Sequence, residues 1–258
     1  MAAITEENSL KKIEKHKVLI FDLDDTLIDN LESTRYAFRK MLEQQGEIYD
    51  VEKFERWHKM DKKFWEDCQD GLIELPEHFK DEKGNRTQEG SCYLRGKRVL
   101  NYFNNTISLE KAIELGYIFR ESLAEVVISI EGAFEILEYL SNTEKYHIVI
   151  ATNGPASAVK EKLFKIDCLQ FVKDILSPDM IGGYAKPKIG FFEAIQQRVN
   201  NFNNSEFLII GDSLKSDVDF GMNCGFDSCW FNRKDEETTE NYKPTFTIKK
   251  LMDLKNIL

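Results

Sequence analysis

The sequence predicts a doubly wound α/β protein, a parallel sheet with helices on both faces, with a helical domain inserted behind the first strand. Three observations predict it. Short continuous apolar runs recur in the outer parts of the chain, as strands buried on both faces of a parallel sheet require. Amphipathic helical patterns alternate with those runs, which implies right-handed crossovers. Between about residues 31 and 125 the apolar residues keep helical spacing, and no comparable strand run interrupts them.

The elements follow in chain order. Residues 1–16 are a polar N-terminal segment that lacks the apolar middle of a secretory signal. The core opens at residues 17–30 with the strand VLIF (18–21). Residues 31–125 form the insertion, with helices expected in LESTRYAFRKMLEQQG (31–46) and VEKFERWHKMDKKFWEDCQDG (51–71). Within it PEHFKDEKGNRTQEGSCYLRGK (76–97) is polar and rich in turn formers, so a long loop is expected there. The core resumes over 126–258 with strands HIVIA (147–151), FLIIG (207–211) and SCWF (228–231) and weaker candidates DIL (174–176) and TFTI (245–248). Helical patterns lie between them at 131–141, 156–169, 190–201 and 216–225.

Charge and composition narrow the partners. The 258 residues carry a net charge of −10, which argues against a nucleic-acid polymer or an anionic membrane surface, both of which are held by clustered Lys and Arg. A small anionic ligand would need a local basic residue or a metal. No run of about eighteen apolar residues reads as a membrane span, so a cytoplasmic protein acting as a monomer or homodimer is expected. The five cysteines are scattered without a C-x-x-C pair and read as reduced packing residues.

In a parallel α/β sheet, ligands bind beyond the carboxyl ends of the strands. Asp22 follows VLIF; Thr152, Asn153 and Gly154 follow HIVIA; Asp212 follows FLIIG, with Asp217 soon after; Lys186 lies in the loop GGYAKPK. Carboxylates converging in one cleft repel each other and take up protons unless a cation sits among them. Mg²⁺, which prefers oxygen ligands, is the natural cation. Asp22 would then serve as a nucleophile toward phosphorus, and Asp24 as the acid and base for the leaving oxygen and the attacking water. Thr152, the Asn153 N–H and the Lys186 ammonium would meet the phosphoryl oxygens.

The segments D-L-D-D-T (22–26), T-N-G (152–154), K-P (186–187) and G-D-S-L-K-S-D (211–217) resemble, in order and spacing, the four motifs of the haloacid dehalogenase superfamily. The resemblance covers about residues 15–30 and 130–258, and the helical insertion sits where that superfamily carries its cap. Within it the chain looks most like the house-cleaning pyrimidine 5′-nucleotidases, through Asp24-Asp25, GDSLKSDV and NCGFDSCWFN (223–232). Many relatives have Gly at the position of Asp25, and where the family often has a second proline after Lys186-Pro187 this chain has Ile189.

The resemblance implies a Rossmann-like core and a Mg²⁺-dependent phosphatase working through an aspartyl phosphate on small phosphate esters. It implies Asp22 as nucleophile, Asp24 as acid and base, and Thr152, Asn153 and Lys186 as phosphate ligands. It further implies Asp22, Asp212 and the backbone carbonyl of Asp24 as metal ligands, with Asp217 supporting them. Pyrimidine nucleoside 5′-monophosphates are the expected substrates. The alternatives are a sugar-phosphate or phosphoglycolate phosphatase, a β-phosphoglucomutase-like phosphotransferase and, from another class, a phospho-aspartate signalling receiver. A receiver is much shorter and carries no cap behind its first strand.

Other residues have plainer readings. Asp25 and Asp29 read as turn or capping residues. Phe54, Trp57, Phe64 and Trp65 have the spacing of a core stripe, although Trp57 and Trp65 could also offer a flat wall to a base. The four histidines show no metal-binding pair.

Overall fold

The structure, a computed structural model, describes residues 15–258 apart from 83 and 85. Six strands form one sheet in the order β3-β2-β1-β4-β5-β6: β1 Val18–Phe21, β2 His147–Ala151, β3 Asp174–Leu176, β4 Phe207–Gly211, β5 Asp227–Phe231 and β6 Phe246–Ile248. Every neighbouring pair is parallel. The central strand β1 pairs Phe21 with Ile150 on one side and with Ile210 on the other, so the ends of β1, β2 and β4 lie level.

All four residues of β1 are fully buried because the sheet is covered twice. Side chains alternate across a strand. Leu19 and Phe21 therefore pack with Ile136, Leu137 and Leu140 of α5 (Ala133–Asn142), Val159 and Leu163 of α6 (Ala156–Lys165), and the C-terminal turn at Leu251 and Leu254. Val18 and Ile20 pack on the other face with Phe191, Phe192 and Ile195 of α7 (Ile189–Val199) and Phe220 of α8 (Asp219–Cys224). Each such side chain contributes about 1.5–3 kcal/mol by leaving water.

Among the described residues the insertion contains four α-helices: α1 Asn30–Gln44, α2 Val51–Gln69, α3 Gln88–Tyr102 and α4 Leu109–Ser122. They bury their own cluster, in which Phe38, Phe54, Trp57, Val99, Tyr102, Leu115 and Phe119 meet. Each helix has an N-cap side chain that accepts a backbone N–H: Asp29, Asp50, Thr87 and Ser108. The two connections to the core run side by side, with Asp29 N–H donating to Ile128 O at 2.8 Å and Ile130 N–H to Leu27 O at 2.9 Å.

The expected loop over 76–97 needs correction. Residues 77–79 form a short 3-10 turn, Glu77–Phe79, and residues 88–97 belong to α3. Two glycines, poor helix formers, and a run of polar residues masked the periodicity. The helix is secured by the Thr87 cap and by burial of Leu94, Arg98, Val99 and Tyr102. The helical pattern at 216–225 is also divided, into a wide π turn at Leu214–Val218 followed by α8, and the turn carries Asp217 back into the sheet. Residues 1–14 of the polar N-terminal segment lie outside the described residues, whereas Lys15 and His16 both pair with Asp227 at the start of β5.

Candidate active site

The residues that follow β1, β2 and β4 converge, as the level strand ends require. Asp22 leaves β1 with its backbone N–H bonded to Ile210 O of β4 at 2.9 Å. Its Oδ1 accepts the Lys186 ammonium at 2.8 Å, and its Oδ2 accepts the Thr26 hydroxyl at 3.3 Å. Thr26 Oγ1 in turn accepts the Asp212 N–H at 3.1 Å, tying the two strand ends together through one side chain. Trp230 of β5 holds Asp212 from the far side, its indole N–H donating to Asp212 O at 2.8 Å.

Lys186 is 1% exposed and donates to a second carboxylate, Asp217 Oδ1, at 2.6 Å. Asp217 Oδ2 accepts the Ser213 N–H at 3.1 Å, so both oxygens of Asp217 are engaged. This approach requires glycine at 211, because a Cβ there would lie 2.2 Å from Asp217 Oδ2. Asp22, Asp212 and Asp217 bring one carboxylate oxygen each within 4.8 Å of one another.

Thr152, 1% exposed, accepts the Gly154 N–H on its hydroxyl at 2.9 Å, which leaves its own proton for an outward acceptor. The Asn153 side chain has a task the sequence did not disclose: its Oδ1 accepts the Lys186 N–H at 2.8 Å and its Nδ2 donates to Lys186 O at 3.0 Å. Asn153 thereby clamps the loop that delivers Lys186. Asp24 reaches toward α6 with one oxygen, its Oδ1 accepting the Lys162 ammonium at 2.7 Å.

The electrostatics follow from crowding. Burial, partly offset by Lys186 and reinforced by Asp217, pushes the Asp22 carboxyl up to about 7. Burial and the charges of Asp22 and Asp217 push Asp212 up to about 8. For Lys186 burial works in the opposite sense, but Asp217 and Asp22 overcome it and its ammonium is held more firmly than usual. Asp22, Asp212 and Asp217 crowd together with the Lys186 ammonium bonded to Asp22 and Asp217, and all the offered ligands are oxygen. That donor set suits a hard divalent cation.

Sequence reasoning missed three further residues near this site. Lys162 had one signal, its place on the apolar face of α6 beside Val159 and Leu163. Thr26 closes the first motif, D-L-D-D-T, and no local pattern gives it a role of its own. Arg233 binds Asp25 at 3.1 Å and Asp29 at 3.4 Å, holding the turn after β1. In that turn Asp25 adopts φ +64°, a left-handed conformation that favours glycine; the turn and capping roles expected for Asp25 and Asp29 hold. The core-stripe reading also holds for Phe54, Trp57 and Phe64, which are buried, so Trp57 offers no wall to a base. The five cysteines are free, and burial pushes Cys168, Cys224 and Cys229 up to about 12. Among the described residues no helix is long and apolar enough to cross a membrane.

Comparison with known proteins agrees with this geometry. The chain is 28% identical over 247 residues to the HAD-hydrolase YfnB of Bacillus subtilis, covering 95% of this chain and 97% of that one. The crystal structure of YfnB bound to magnesium superposes with a TM-score of 0.80 at 25% identity, over 95% of this chain and 99% of that one. The chain is 27% identical to the pyrimidine 5′-nucleotidase PynA of Streptococcus pneumoniae, covering 94% and 97% of the two chains. It is 26% identical to the pyrimidine 5′-nucleotidase YjjG of Escherichia coli, covering 93% and 96%. The family model of the haloacid dehalogenase-like hydrolases matches residues 16–225, a span that holds every acid, the threonine and the lysine gathered at the strand ends. With its parallel sheet, its helical insertion behind β1 and this match, the chain belongs to the haloacid dehalogenase-like hydrolase family.

Proposed function

We propose that the chain is a Mg²⁺-dependent phosphatase that hydrolyses pyrimidine nucleoside 5′-monophosphates through an aspartyl phosphate on Asp22. The observation that carries the chemistry is the Asp22 carboxylate at the end of the central strand, gripped by Lys186 and Thr26 with Asp212 alongside. Asp22, Asp212 and the backbone carbonyl of Asp24 would hold Mg²⁺, which when bound neutralises the carboxylates and orients a phosphoryl oxygen.

The chain's own residues account for the remaining chemistry. An Asp22 oxygen bonds to phosphorus as the ester P–O bond breaks, and Asp24 gives its proton to the departing alkoxide. Asp24 then takes a proton from water as the water oxygen bonds to phosphorus and the Asp22–phosphate bond breaks. Lys186 and the outward proton of Thr152 balance charge on the phosphoryl oxygens, where it accumulates in both steps. Asp217 and Asn153 keep Lys186 in place, one through its ammonium and the other through its backbone.

The nucleotide preference is supported by the names of PynA and YjjG and by near full-length alignment with both. Phosphate release from a panel of nucleoside monophosphates and sugar phosphates, with and without Mg²⁺, tests the reading. Pyrimidine 5′-monophosphates should give the highest kcat/KM. A hexose phosphate or phosphoglycolate ahead by about tenfold, roughly 1.4 kcal/mol in transition-state binding, would reject the nucleotidase assignment and keep the phosphatase.

A further inference from the structure

We infer that Lys162 is a positioning residue that clamps one oxygen of Asp24 and thereby assigns the catalytic proton to the other. The inference rests on the phosphatase reading above. Lys162 lies on α6, and its side chain is only 2% exposed. Ala158, Val159 and Leu163, also buried, share its helix face. An ammonium in such surroundings is costly unless paired. It is paired with Asp24 Oδ1 at 2.7 Å, a residue 138 positions earlier in the chain.

The second oxygen of Asp24 faces elsewhere. A Cβ at Gly154 would stand 3.0 Å from Asp24 Oδ2 and 3.2 Å from Thr152 Oγ1, so Oδ2 lies against the turn that carries the proposed phosphate ligands. Glycine at 154 leaves that space open. An ammonium donates and cannot accept a hydrogen bond. The carbonyl oxygen is the better acceptor of a carboxylic acid, so the Lys162 ammonium favours Oδ1 in that role and leaves Oδ2 to exchange the catalytic proton.

In the first half-reaction that proton passes from Oδ2 to the ester oxygen as the P–O bond breaks, and the carboxylate left behind keeps its pair with Lys162. In the second, Oδ2 takes a proton from water as the water oxygen bonds to phosphorus and the Asp22–phosphate bond breaks. The contribution of Lys162 is to stop the carboxyl group from turning.

Lys162→Met keeps the length of the side chain, suits its apolar surroundings and removes the clamp. Read as release of the leaving group in a single turnover, the variant should slow a nucleoside 5′-monophosphate by about 30- to 100-fold and p-nitrophenyl phosphate by less than about fivefold, because an aryl oxide leaves without a proton. Equal losses on the two esters, or no loss on either, would overturn the assignment. A thermal double-mutant cycle gives a readout that needs no turnover. Asp24→Ala strands a buried ammonium and should lower Tm, and adding Lys162→Met should recover most of that loss; strictly additive shifts would overturn the pairing. A parent enzyme that cleaves neither ester would end the phosphatase reading, while the cycle would still decide the pair.

Discussion

The strand ends of the core and the interior of the helical insertion bury similar kinds of groups to opposite purposes. At the strand ends, burial is spent on charge: Asp22, Lys186, Asp217 and Lys162 are enclosed with partners that neutralise only part of one another. In the insertion, burial is spent on rings. Trp57 is fully enclosed, stacked at 5.3 Å from Phe38 and set edge-on to Tyr102 at 5.4 Å. The part-buried ion pair there, Arg98 to Asp61 at 2.8 Å, sets its guanidinium over Trp57 and Phe119, whose ring centres lie 4.8 and 4.6 Å away. The strand ends concentrate charge that a metal and a phosphate would balance, whereas the insertion concentrates ring packing and encloses the Trp57 indole N–H, the Arg98 Nε and the Tyr102 hydroxyl without a hydrogen-bond partner. Substitutions should therefore separate activity from stability according to region.

The largest effect should come from Asp22→Asn, which keeps the shape of the side chain but removes the anion proposed to attack phosphorus. Turnover should fall by about 10⁴-fold or more, on the order of 5 kcal/mol, with the thermal transition kept. Substantial activity in freshly purified variant would end the covalent mechanism. Next in size is Trp57→Ala, a large-to-small change in a closed ring cluster, which should cost about 3–5 kcal/mol in denaturant unfolding. A cost below about 1 kcal/mol would mean that the insertion is not packed around Trp57 as described.

The charge stored at the strand ends has a pH signature. The carboxyls of Asp22 and Asp212 ionise at about 7 and about 8 in the folded chain against an ordinary 3.8, so the folded state holds protons that the unfolded chain has already lost. Their contribution to stability is fully present below the ordinary carboxylate value and is lost as pH rises through 7 and 8. Without metal, Tm should decline between pH 6 and 8.5, and saturating Mg²⁺ should raise Tm more at pH 8.5 than at pH 6. Equal increments at the two pH values would show that these carboxylates do not form the cation site.

The smallest effect should come from the exposed contact between the two regions, where Lys215 of the π turn reaches Asp70 at the end of α2 at 3.4 Å. Lys215→Ala should change stability by about 0–1 kcal/mol, as exposed ion pairs do. A larger loss in denaturant unfolding would mean that the insertion depends on the core more than its separate ring cluster suggests.

The strands and the acids behind them were readable because their signals are local. Val18–Phe21, His147–Ala151 and Phe207–Gly211 are continuous apolar runs, and in a parallel sheet the next residue of each must stand at the ligand-binding end. Asp22, Thr152 and Asp212 could be named on that ground alone, and the order of the motifs brought in Lys186 and Asp217. Helix α3 was less readable because Gly90 and Gly96 interrupt its pattern, and its partner surface on α4 belongs to a separate stretch of chain. Contacts whose members lie far apart in the chain had no local signal. A lysine on a helix is solvated by default, and only the fold reveals that Lys162 is sealed against Asp24 or that Arg233 closes on Asp25, 208 residues away. Periodicity therefore determined which elements form and which residues stand at their ends. The tertiary structure alone decided which charges are buried together, because desolvation and pairing depend on neighbours that only folding supplies.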